Sequence, residues 1–257
     1  MTEPIATSWL LHSIKILLGD ESIRHYIIAH YFPELKYKLK KHIRTFDAFV
    51  PKGTTRNDKY DKITKYLESI ENLQKDIVVF TATNVQQNDE DDETHFQSFI
   101  VDNEKKQVYV IDPALDKKKP NFIGIYYPEI TIELIKPHFE EKGYNVKFIQ
   151  LSRPAQTETD DVFCQSWSLI ILLEMINDNN YEKNEEYKIP YRKGDKYGIL
   201  LEFYKGIFVE MPELIDNLRE EYVGTINELS LRKNEKNELL RHDPYRLLQS
   251  MTKEDMK

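Results

Sequence analysis

Apolar positions recur at helical spacing near both ends of the chain and at strand spacing in its middle. Leu10, Leu11, Ile14, Ile16, Leu17 and Leu18 give a helix predicted from Trp9 to Leu18. A second helix is predicted from Glu21 to Phe32, stopped by Pro33, which has no N–H to continue it. Leu35, Leu39 and Ile43 carry the same periodicity through the basic stretch Lys36 to Arg44, read as a solvated helix face, and a further helix spans Lys59 to Leu73. The pattern then changes. Ile77 to Thr83 is a run of β-formers and predicts a buried strand. The acidic segment Asn88 to Glu93 reads as a solvated loop, without the glycine and ligand spacing of a calcium loop.

A hairpin comes next: a strand from His95 to Val101, a turn-rich stretch from Asp102 to Lys106, and a return strand from Gln107 to Asp112 that Pro113 ends. Glu129 to Lys142 predicts an amphipathic helix, interrupted by Pro137 and closed by Gly143. Tyr144 to Leu151 predicts a third strand. A polar loop, Ser152 to Asp161, leads into an apolar helix holding Cys164. Tyr197 to Phe208 predicts a strand or short helix. Helices follow at Pro212 to Tyr222, Val223 to Leu240 and Pro244 to Met251. This order of helices, mixed elements and helices defines an α+β fold. It is expected as a single domain over 1–257, with a helical N-terminal region (1–76), a core (77–180) and a largely helical C-terminal region (181–257).

Composition narrows the function classes. The formal net charge of −8 disfavours a nucleic-acid binder held by phosphate contacts. The one cysteine excludes an intrachain disulfide and a cysteine-based zinc site, and points to a reducing, intracellular compartment. Met1 to Trp9 lacks a secretion signal, and the apolar run Trp167 to Ile176 is too short to span a bilayer. Neither a nucleic acid nor a membrane is expected as a partner. His25 and His30 are poorly spaced for one helix face and have no third ligand, so no metal or other cofactor is expected. Phosphate-loop and dinucleotide motifs are absent. Abundant Lys, Asn, Ile and Tyr point to an AT-rich genome, as in many large DNA viruses.

Candidate chemistry lies in the hairpin and the helix after it. A tight turn centred between Asn103 and Glu104 sets His95 directly opposite Asp112 on one face. A carboxylate there fixes the tautomer of the imidazole and stabilises its protonated form. Cys164 stands where the polar loop becomes the apolar helix, with Asp160 or Asp161 as the candidate cap. A helix N-terminus favours a thiolate, the nucleophilic form. Upstream, the amide of Gln156 is a candidate hydrogen-bond donor to an oxyanion, alongside the backbone N–H of Cys164.

The order His95-Phe96, Val108-Tyr109-Val110-Ile111-Asp112, Gln156 and Cys164-Gln165-Ser166-Trp167-Ser168-Leu169 resembles the SUMO-protease and adenovirus-endopeptidase superfamily of papain-like cysteine proteases. The block Asp161 to Leu169 is especially similar to predicted thiol proteases of large DNA viruses, and Trp9-Leu10 resembles an early tryptophan motif of the family. The resemblance covers about His95 to Ile176. It implies a mixed sheet packed on a central helix that bears the nucleophile. It also implies Cys164 as nucleophile, His95 as base and later acid, Asp112 as orienter and Gln156 as oxyanion donor. Phe96 replaces the usual Trp, Gln165 replaces the glycine of cellular members, and the loop from Gln156 to Cys164 is slightly longer than theirs. The implied function is a cysteine endopeptidase or isopeptidase acting on viral structural precursors or ubiquitin-like conjugates, in the host cytoplasm or the virion. The alternatives are an acyltransferase using the same triad and a non-enzymatic virion interaction protein.

Overall fold

Two helices open the chain, α1 (Glu3–Gly19) and α2 (Glu21–Tyr31). Asp20 separates them and caps the second. Its Oδ1 accepts from the backbone N–H of Ser22 at 2.8 Å and of Ile23 at 3.1 Å. Helix α1 starts earlier than predicted, because Ala6 extends the buried stripe of Leu10, Ile14 and Leu17 by a turn. The computed structural model describes residues 3–31, 47–49, 56–71, 77–87, 92–114, 131–152, 154–155, 163–177, 180–183, 186–188 and 196–256. The predicted helix from Lys36 to Arg44 lies outside them. The chain divides into two units, Met1–Ile27 with Pro190–Lys257, and Ile28–Ile189.

The second of these units contains the sheet. In chain order its elements are β1 (Asp47–Phe49), α3 (Arg56–Glu71), β2 (Ile77–Gln87), β3 (Asp92–Asp102) and β4 (Gln107–Ile111). A π-helical turn (Thr131–Ile135), α4 (Lys136–Glu141), β5 (Asn145–Phe148), β6 (Gln150–Leu151), α5 (Cys164–Ile176), α6 (Asn180–Lys183) and β7 (Glu186–Tyr187) follow. Strands β1 to β5 form a mixed five-stranded sheet in sequence order. Its outer pairs, β1 with β2 and β4 with β5, are parallel, and its central pairs are antiparallel. The α+β class read from the sequence is the one found.

Alternation decides what each face of the sheet meets. Val78, Phe80, Ala82, Phe99, Val101, Val108 and Val110 share one face and pack with Ile63, Leu67 and Ile70 of α3 and with Ile135 and Phe139. Phe80 and Phe99 pair across the strands and stack with ring centroids 4.5 Å apart. Ser98 points the other way, and its Oγ donates to the carbonyl of Ser168 in α5 at 3.4 Å.

Several boundaries differ from the sequence reading. Strand β2 runs on to Gln87 and pairs with Asp92 and Glu93, which were expected in the acidic loop; ladder hydrogen bonds need only backbone. The predicted third strand breaks at Ile149, so that Asn145–Phe148 pairs with β4 while Gln150–Leu151 pairs with β7. The helix around Pro137 becomes a π-helical turn followed by α4, since Pro137 cannot donate back to Glu133. Gly143 ends it at φ +82°, where a side chain would be strained.

In the other unit the C-terminal elements are α7 (Lys196–Glu210), α8 (Leu214–Glu228), α9 (Lys233–Leu239), α10 (Pro244–Ser250) and a 3-10 turn (Lys253–Met256). The segment read as a strand or short helix is thus a full helix. The break expected between Tyr222 and Val223 is absent, because Leu218, Tyr222, Thr225 and Ile226 form one continuous buried stripe on α8. Helices α1 and α8 are tied by a buried hydrogen bond from Ser13 Oγ to Thr225 Oγ1 at 3.1 Å.

Candidate active site

The register of the β3–β4 hairpin places the first two candidate residues. Asp102 pairs with Gln107, so the turn is Asn103 to Lys106 and is centred between Glu104 and Lys105. Asp102 Oδ1 accepts from the Lys105 N–H at 2.9 Å, and Lys106 takes a φ of +53°. The turn is therefore one residue later than the sequence reading put it. Carried forward, this register sets Asp112 opposite Gln97, with His95 as the diagonal neighbour rather than the direct one. A shift by two residues keeps both side chains on the expected face, and diagonal neighbours remain within reach of long side chains. His95 Nε2 lies 2.9 Å from Asp112 Oδ1.

Strand β4 ends at Ile111, opposite Ser98, so β3 continues toward His95 paired only with β2. Asp112 leaves the ladder at that point and collects donors. Oδ1 also accepts from the Ala114 N–H at 2.9 Å, and Oδ2 accepts from Gln97 Nε2 at 2.7 Å. The Oε1 of Gln97 in turn accepts from Thr131 Oγ1, on the π-helical turn. Gln97 and Thr131 are both fully buried. Both oxygens of the carboxylate are thus held, and its rotation is fixed from three elements.

Electrostatics follow from this geometry. Burial alone would push the Asp112 carboxyl up, but His95, by charge and by hydrogen bond, together with Gln97 and the Ala114 N–H, holds it below the usual carboxylate range. Burial alone would push the His95 imidazole down. The Asp112 carboxylate, by charge and hydrogen bond, and then the Cys164 side chain, by hydrogen bond and charge, overcome this and raise it to about 10.

Cys164 is the first residue of α5 and is buried. Its side chain shares a hydrogen bond with His95, and its Sγ lies 3.6 Å from Oε1 of Gln165. The N-cap is Phe163 (φ −102°, ψ 25°), not an aspartate, and no side chain caps the helix. The reason lies in the spacing: only the residue just before the first turn can cap it, and here that residue has no oxygen in its side chain. Asp160, Asp161 and Gln156 lie outside the described residues.

The structure thus brings His95, Asp112 and Cys164 together. Sequence reasoning missed Gln97 and Thr131. The signal for Gln97 was available: it is a polar residue on the core-facing parity of β3, in step with His95 and Phe99. Nothing local marks Thr131, whose partner is distant in sequence. Among the described residues, no group of three His, Cys, Asp or Glu side chains is placed to hold a metal ion, and no helix is long and apolar enough to cross a membrane.

Comparison with known proteins adds little. No protein-family model and no curated protein matches the chain. Among solved structures it is similar to a crystal structure of the Legionella pneumophila effector protein RavZ (F222), with a TM-score of 0.33 and 12% identity over 81% of this chain and 75% of that one. A superposition this loose fixes neither fold nor function.

Proposed function

We propose that the chain is a papain-like cysteine peptidase with Cys164 as nucleophile, His95 as acid and base, and Asp112 as the residue that orients the imidazole. The observation that carries this reading is the buried His95–Asp112 pair at 2.9 Å, with Cys164 at the first position of a helix and hydrogen-bonded to the same ring. The raised value of His95 means that the imidazole carries the proton at neutral pH. The nucleophile is the Cys164 sulfur beside that imidazolium. The sulfur attacks an amide carbonyl carbon, a C–S bond forms, and the carbonyl π pair moves to oxygen. The first-turn N–H groups of α5 and, by the resemblance, the Gln156 amide stabilise that oxyanion. Its collapse breaks the C–N bond, and His95 gives its proton to the departing amine. Water, losing a proton to His95, then attacks the thioester and releases the acid, and the thiolate is restored.

The substrate is a polypeptide. The resemblance to SUMO and adenovirus proteases favours viral precursor proteins or ubiquitin-like conjugates, with small residues such as Gly-Gly or Gly-X before the cut, met in the host cytoplasm or the virion. The test is cleavage of peptide libraries and ubiquitin-like fusion proteins by wild type and Cys164→Ala. Wild type is expected to cut a defined subset; Cys164→Ala is expected to cut none while retaining its melting temperature. Equal cleavage by the two would refute the proposal.

A further inference from the structure

Gln165 follows the nucleophile where the resembling family usually has glycine, and its long polar side chain is kept inside the protein, 5% exposed. Neighbours in sequence on a helix point about 100° apart and do not normally face each other. Here, however, the carboxamide folds back to the nucleophile, with Oε1 3.6 Å from Cys164 Sγ and placed to accept from the thiol. A carboxamide presents an acceptor on one side and two donors on the other, and turning it by half a rotation exchanges them without moving any other atom. Once the thiol proton has passed to His95, sulfur can only accept, and so can the oxygen of any carbonyl it attacks. The same carboxamide, turned, then offers Nε2 to that oxygen, which forms one carbon away from Sγ. Productive oxyanion donors sit about 3 Å from the oxyanion, and a side chain already in contact with Sγ reaches that point.

We propose that Gln165 is a catalytic residue whose side-chain amide accepts from Cys164 whenever the sulfur holds its proton and then donates to the oxyanion formed when Cys164 is acylated. The proposal rests on the cysteine-peptidase reading, and two reactions of the same sulfur separate them. Alkylation by iodoacetamide displaces iodide in one step and forms no oxyanion. Acylation by p-nitrophenyl acetate forms the S–C bond, passes through an oxyanion, and breaks the acyl C–O bond to expel p-nitrophenolate. Both rates are measured at neutral pH on wild type, His95→Ala, Gln165→Met and Gln165→Leu, with Cys164→Ala as background.

Gln165→Met and Gln165→Leu are expected to lower the acylation rate roughly a hundredfold while alkylation changes little. Loss of both rates in parallel in both variants means that Gln165 only shapes the site, and it overturns the proposal. So does an unchanged acylation rate in both variants. Because alkylation reports an intact nucleophile, a variant that fails to fold is recognised by loss of that rate, and the other variant decides. If neither rate of wild type depends on His95, the peptidase reading itself fails; if both depend on it and acylation ignores Gln165, only the role of Gln165 fails.

Discussion

At the scale of single residues, the site is a balance between burial and charge. His95 and Asp112 are 6% and 2% exposed, and either one alone at that depth would be driven to its neutral form. Each keeps the other charged. The consequence for stability differs in sign for the two groups. His95 is raised from 6.5 to about 10, so its contribution is complete below about 6.5 and is lost as pH climbs toward 10. Asp112 is held below its ordinary 3.8, so its contribution is present above that value and is lost as pH falls through the lowered one. Melting temperature plotted against pH is therefore expected to stand highest in the mildly acidic range and to decline on the alkaline side. Asp112→Asn removes the partner charge and is expected to flatten that alkaline decline. Alkaline limbs that run parallel in wild type and Asp112→Asn would contradict the ion pair.

At the scale of elements, what the sequence made legible was what local pattern controls. The 3.6-residue stripe of Leu10, Ile14 and Leu17, the β-run at Ile77 and the polar-to-apolar switch at Cys164 each declared an element with the correct type. The turn at Gly143 was legible for the same reason, since a glycine acts on its own backbone. Features that depend on a distant partner were not. The exact turn of the hairpin rests on Asp102 bonding back to Lys105, and the break at Ile149 on which sheet each half joins. The same holds within the site: His95, Asp112 and Cys164 were readable, whereas Gln97 and Thr131 become meaningful only once the π-helical turn lies beside β3. That bridge joins β3, the end of β4 and the turn Thr131–Ile135. Gln97→Leu leaves Asp112 Oδ2 without the Gln97 donor, and is expected to destabilise the protein by about 1–3 kcal/mol. Urea unfolding measures this; an unchanged midpoint would mean that the bridge contributes nothing.

At the scale of the whole molecule, the candidate site lies within Ile28–Ile189, the unit built on the mixed sheet. The sheet carries His95 and delivers Asp112 as β4 ends, while α5 brings the sulfur. Because the 257-residue chain has a single cysteine, any thiol chemistry of the protein is chemistry of one atom. That makes the central claim, that His95 activates Cys164, directly measurable on the intact chain. The measurement is the rate of iodoacetamide alkylation against pH for wild type and His95→Ala. Wild type is expected to react rapidly through neutral and mildly acidic pH. His95→Ala is expected to react slowly there and to speed up only near the range of a free cysteine, about pH 8.5. A slow wild-type reaction with a pH profile that His95→Ala leaves unchanged would contradict the account.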